Sequence, residues 1–331
     1  MKFPIEELTI SDFHSAILSK KITATELVNE YLVRIKNIDQ NGPKLNSIIT
    51  INEKALHEAN MLDEYLNLEG ELKGPLHGVP IAVKDQIETA GVMTTFGSIA
   101  MDGYVPTEDA TIIKKLKDAG AIIIAKTTMP DFATSWFGYS SKNGVSKNPY
   151  DLLYDPGGSS GGTGIAIAAN LAMVGIGEDT GVSIRLPASC NNLVGLKTTP
   201  GMISRAGMSP LVIFQDSAGP MCRTVEDLAR VLDVIVGFDD KDPFTSSALI
   251  SGNKNYVDSL KVEGFKGRRV GVLKSLFEDL QLAGSTPVNQ LIRKALGDLE
   301  SLGAILVDVE ISDLDHYIEL TSLYVTRSKY D

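Results

Sequence analysis

Gly157-Gly158-Ser159-Ser160-Gly161-Gly162 opens the most informative stretch of this chain. A helix-like run from Ile165 to Leu171 follows it. A strand-like run from Met173 to Ile176 then leads into a second cluster, Asp179-Thr180-Gly181-Val182-Ser183-Ile184-Arg185. Loop, helix, strand and loop make an α/β unit. Each loop carries one serine of interest, Ser159 and Ser183. Upstream, Gly78-Val79-Pro80-Ile81-Ala82-Val83-Lys84-Asp85 ends a short β-rich run on a lysine. A serine hydroxyl needs a base to become a nucleophile, and a lysine stripped of water can be that base.

Outward from this stretch the pattern stays α/β. Asp109 to Ala119 reads as an amphipathic helix stopped by Gly120, and Ala121 to Ala125 as an apolar strand. Val225 to Val236 reads as a helix. Arg269 to Lys274, Pro287 to Leu302 (stopped by Gly303) and Ile305 to Val309 read as strand, helix and strand. The N-terminal part reads as helices only. Thr9 to Asp12 cap a run ending near Lys20, Thr23-Ala24-Thr25-Glu26 fits a capping box, Asn41-Gly42-Pro43 stops that helix, and Asn52 to Leu66 makes a third. The expected organisation is a helical region over 1–70 packed on an α/β core over 71–331.

Composition narrows the function classes. Of 331 residues, 42 are acidic and 31 basic, for a net charge of −11. Nucleic acid and anionic membrane surfaces call for clustered Lys and Arg, so neither is an expected partner. Cys190 and Cys222 form no disulfide framework and no zinc spacing. Met1 to Glu7 is too acidic and polar for a signal peptide, and no apolar run approaches the roughly 18 residues of a membrane span. The expectation is a cytoplasmic protein.

Three chemistries compete for the first glycine cluster. A phosphate loop would need a lysine after the last glycine, and none follows. A nucleophile elbow matches Gly158-Ser159-Ser160-Gly161-Gly162, with Ser160 central, but needs a preceding strand and a later triad histidine. The segment before it carries Pro149 and Pro156, and only His316 follows. The third reading joins both clusters to Lys84. On these residues, with Gly74-Pro75-Leu76-His77-Gly78, Thr94-Thr95-Phe96-Gly97-Ser98, Gly195-Leu196-Lys197, Asp216-Ser217-Ala218-Gly219-Pro220 and Arg223-Thr224-Val225-Glu226-Asp227, the chain closely resembles the amidase signature family.

The resemblance implies an α/β/α sandwich with a central mixed sheet. It also implies a triad in which Ser183 is the nucleophile, Ser159, after a cis Gly158–Ser159 bond, the bridging serine, and Lys84 the base. Backbone N–H groups of Thr180, Gly181, Val182 and Ser183 would form the oxyanion hole. No metal or organic cofactor is required. The expected partner is a small-molecule amide, and a homodimer is left open. A neutral lysine demands burial, since an exposed one is less than about 0.1% neutral at pH 7. Asp85 would oppose that and is expected to point away. Met129, Phe132, Trp136 and Phe137 are candidates for the acyl pocket or for core. Arg185 is expected to form a buried pair with Asp179, His77 to pack, and Cys190 to be inert.

Three features depart from the family. Glu178 stands for the usual threonine and Val182 for the second glycine of the nucleophile motif, and Asn191-Asn192 replaces small residues. A left-handed backbone at Val182 would be strained. Family members extend further than Ser328-Lys329-Tyr330-Asp331, so a C-terminal portion of the pocket is expected to be missing. The main functional reading is an amidase that hydrolyses a carboxylic amide, or a chemically similar ester or carbamate, through an acyl-serine. Its rivals are the glutaminase subunit of a tRNA-dependent amidotransferase, which hands ammonia to a partner, and a binding protein whose oxyanion hole Val182 has closed.

Overall fold

The computed structural model describes residues 3–251, 255–261, 263–277 and 284–320. Thr9 accepts the Asp12 amide and starts α1 (Ile10–Leu18). The Thr23–Glu26 capping box is complete and starts α2 (Ala24–Arg34), which continues as a π-helical turn through Gln40. The next element departs from the all-helical expectation for 1–70. β1 (Ile48–Ile51) lies just before α3 (Ala55–Glu69) and pairs antiparallel with a strand at Ile122–Thr127. Four residues are too few to show a period, which is why the sequence pattern misses β1.

The chain then lays down β2 (Pro80–Lys84), α4 (Thr111–Asp118), β3 (Ile122–Thr127) and a small hairpin of β4 (Tyr139–Ser140) with β5 (Gly144–Val145). After it come α5 (Gly161–Ala168), β6 (Val174–Glu178), α6 (Arg185–Cys190), β7 (Val194–Gly195), β8 (Ala218–Cys222), α7 (Val225–Ile235) and α8 (Ser246–Ser251). The central sheet has the order β1-β3-β2-β6-β8-β7. Its middle strands β3, β2 and β6 are parallel, while β1, β8 and β7 join antiparallel. The sheet is therefore mixed, as the resemblance implied. Every residue of β2, β3 and β6 is buried, so these strands read as apolar runs without alternation. Helix α4 adds Ile112, Ile113 and Leu116 to the same core, and α7 adds Leu228, Val231, Leu232 and Ile235.

The first turn of α5 lies hard against the end of β3. A methyl group on Gly162 would overlap the hydroxyl and amide of Thr128 and sit 2.6 Å from the Ser47 carbonyl. Only glycine permits this approach. β6 runs two residues past its expected end, to Glu178, because Asp179 N–H still bonds to Ser217 beyond the strand.

Contacts divide the chain into compact units at Val257/Asp258. The second unit contains β9 (Arg269–Val272), α9 (Ser285–Ser301) and β10 (Ile305–Asp308), with β9 and β10 parallel. Pro287 falls inside the first turn of α9, where its missing N–H costs nothing, so the helix begins two residues before that proline. Ser328 to Asp331 lie outside the described residues.

Candidate active site

Lys84 and Glu178 end two neighbouring parallel strands, β2 and β6, in a register that pairs Val83 with Ile176. Both side chains therefore stand at the carboxyl edge of the sheet, where open α/β sheets place their ligands. Ser159 follows a cis Gly158–Ser159 peptide bond and directly precedes α5. Lys84 Nζ lies 2.8 Å from Ser159 Oγ, 3.1 Å from the Glu178 carbonyl and 3.3 Å from Glu178 Oε2. Lys84 and Ser159 are both fully buried.

Burial pushes the Lys84 amine below the usual lysine range, and the neighbouring Glu178 carboxyl partly opposes this. Burial likewise pushes Glu178 above the usual carboxyl range. Asp85 points away, as expected. Its carboxylate accepts the amides of Thr95 and Gly97 and the Thr95 hydroxyl, and lies 3.7 Å from Lys126. The sequence marks Glu178 as a departure but gives no sign that it touches the lysine. That contact depends on the register of two strands 94 residues apart.

Ser183 comes in from the loop between β6 and α6. Its carbonyl accepts the Ser160 amide at 3.1 Å, and the residue is 2% exposed. Among the described residues no hydrogen bond joins its hydroxyl to that of Ser159.

The loop itself is held by its carbonyls. Lys197 Nζ takes those of Asp179, Thr180 (2.9 Å) and Gln215 (2.7 Å). Arg185 takes that of Gly181, and the Leu186 amide takes that of Val182. Asp179 caps α6 by accepting the amides of Ile184 and Arg185 at 3.0 and 3.2 Å. With every carbonyl turned to these partners, the N–H groups of Thr180, Gly181, Val182 and Ser183 donate to no group among the described residues. Four neighbouring N–H groups of this kind can hold an anionic oxygen. Val182 is not among the residues with a left-handed backbone, so valine in place of glycine carries no such strain.

Arg185 does pair with Asp179, at 3.1 Å. Only the carboxylate is buried, however, and the arginine side chain is 50% exposed. Asn191 is buried and ties the end of α6 to the glycine loop through the carbonyls of Pro187 and Pro156. His77 packs against Tyr65 and accepts the Lys73 amide. Burial pushes the Cys190 thiol up, away from thiolate chemistry.

The four candidate pocket residues separate. Met129 is buried beside a cleft with Gly138, Tyr139 and Gly161. Phe132 is half exposed and stacks on Phe96 at 6.2 Å, and Trp136 and Phe137 are exposed. The backbone of Trp136 presses on Gly158, where a Cβ would come within 2.8 Å of it. A different cavity, of about 190 Å³, opens on the Glu178 side of the lysine. Arg205, Met208, Ser209, Ile213 and Asp216 line it with Glu178. Among the described residues no three His, Cys, Asp or Glu side chains gather as a metal site, and no helix is long and apolar enough to cross a membrane.

Comparison with known proteins gives a consistent picture. The amidase family model matches residues 26–330. The A-type subunit of glutamyl-tRNA(Gln) amidotransferase from Alkaliphilus metalliredigens is 40% identical over 98% of this chain and 64% of its own length. Its counterpart from Prochlorococcus marinus is 39% identical over 91% of this chain and 60% of its own. The chain thus spans less than two thirds of these curated relatives. Among solved structures, peptide amidase from Stenotrophomonas maltophilia superposes with a TM-score of 0.92 at 37% identity, over 99% of this chain and 67% of that one. The A-type amidotransferase subunit from Thermotoga maritima superposes with a TM-score of 0.80 at 29% identity, over 99% and 67%.

Proposed function

The chain belongs to the amidase family, and on that premise we propose that it cleaves a carboxylic amide through an acyl-Ser183 intermediate. The observation that carries this reading is the fully buried Lys84 Nζ, 2.8 Å from Ser159 Oγ. In the proposed reaction Ser183 Oγ attacks the amide carbon and its proton passes through Ser159 to Lys84. The N–H groups from Thr180 to Ser183 hold the carbonyl oxygen as it gains charge. The carbon–nitrogen bond then breaks, the proton returns through Ser159 to the leaving amine, and water releases the acyl group by the same route in reverse.

A fluorophosphonate probe tests this directly. The chain should be labelled on Ser183, and Ser183→Ala should lose both label and turnover while keeping its melting temperature. A well-folded chain that takes no label would instead support the binding-protein reading.

For the substrate we put glutamine first, with the chain as the A-type part of a tRNA-dependent amidotransferase. Support comes from the curated relatives, which are A-type subunits of that amidotransferase at 37–40% identity. The sequence taken alone favours a free-standing amidase. That second reading keeps the support of the peptide amidase structure. Ammonia release from glutamine, together with copurification of a partner protein, is expected on the first reading. Turnover of aliphatic, aromatic or peptide amides without glutamine activity would favour the second.

A further inference from the structure

Hydrogen-bond counting around Glu178 bears on where a proton lies. The Thr180 hydroxyl has one proton to give. Its oxygen is 2.6 Å from Asp216 Oδ1 and 3.0 Å from Glu178 Oε1. Asp216 also receives the amides of Leu211 and Val212 at 2.9 and 3.0 Å, so it is the accepting end of the chain. A separation of 2.6 Å is usual for a hydroxyl donating to a carboxylate. Once the Thr180 proton is given to Asp216, Glu178 Oε1 faces an oxygen lone pair at 3.0 Å. Two acceptors at that distance repel, but a proton on Oε1 turns the contact into a hydrogen bond.

The lysine side fits the same count. A neutral amine has two N–H groups and one lone pair. Lys84 Nζ has three oxygen neighbours, two of them from Glu178 and the third Ser159 Oγ. Two N–H groups directed at Glu178 leave the lone pair for the Ser159 hydroxyl.

Resting on the acyl-Ser183 reading, we propose that Glu178 is a neutral carboxylic acid in the resting enzyme and acts as a positioning residue, aiming the Lys84 lone pair at Ser159. Relative to an ion pair, one O–H bond is formed and one N–H bond is broken, and no charge enters or leaves the pair. Asp216, Asp179 and Lys197 act electrostatically on this pair. Arg205, Lys241 and Asp242 stand with Glu178 around the adjoining cavity. Burial favours the uncharged form of both partners. A neutral acid both donates and accepts, as a threonine hydroxyl does. That is how glutamate can occupy a position where the family usually has threonine.

Two measurements on the full chain test the proposal. Infrared difference spectra between wild type and Glu178→Gln at pH 7 should show the carbonyl stretch of a protonated carboxyl in wild type only. Glu178→Gln, which mimics the protonated acid, should keep the rate and pH dependence of Ser183 labelling by phenylmethylsulfonyl fluoride within about threefold, whereas Glu178→Leu should lose about tenfold or more. Absence of the acid band, or a Gln variant that is folded but shifted in pH dependence, would overturn it. Wild type that takes no label on Ser183 would overturn the acyl-enzyme reading, while the infrared band decides the state of Glu178 separately.

Discussion

Lys84 can be a base only by losing its proton inside the protein, and the pH dependence of the reaction reports that step. Its folded value is pushed below that of free lysine by burial. Ser183 labelling should therefore rise with pH and level off below the roughly 10.4 of an exposed lysine. A limb at the free-lysine value would show an amine open to water. Lys84→Arg keeps a long cationic side chain that cannot shed its proton. It should lose activity by about a thousandfold or more, with no alkaline recovery, as measured by turnover and labelling across neutral and alkaline pH. The two serines and this lysine were legible because each sits in its own motif. Glu178 was legible only as an unusual letter, since its contact with Lys84 is made by the sheet and not by local spacing.

The loop from Asp179 to Ser183 shows how an element is shaped by residues outside it. Lys197 holds three carbonyls at once, a role no sequence pattern announces because its targets are backbone atoms. Lys197→Met should lower stability by about 2 kcal/mol, since buried carbonyls lose their donor. It should slow Ser183 labelling at least tenfold, and denaturant titration and labelling kinetics check the two parts. A second element contact carries a pH signature. His14 on α1 lies 3.0 Å from the His77 carbonyl through Nε2, and as a neutral ring it donates there. Burial lowers its pKa from 6.5 to about 4. Between these values the unfolded chain binds more protons than the folded one. Stability present above pH 6.5 is therefore lost as pH falls toward 4, by at most about 3 kcal/mol. His14→Gln keeps a donor without the titration, so its melting temperature should depend less on pH across that window than the wild type's.

At the scale of the whole molecule, the strands and helices of the core were readable from apolar runs and caps, and the mixed sheet from the family resemblance. What stays hidden is what depends on distant partners, such as β1 joining the sheet edge. A chain ending at Val257 should still unfold in one cooperative transition by calorimetry, because the central sheet and its core lie within that unit. Several melting steps would mean that the division is drawn in the wrong place. The glycine run from Gly157 to Gly162 carries a last consequence. Its composition suggests a supple hinge, yet Gly158 is pressed by the Trp136 backbone and Gly162 by Thr128 and Ser47. A segment wedged on both sides has no slack to give. It should resist proteases and exchange its amides slowly, so that the softest-looking letters in the chain behave as a rigid wedge.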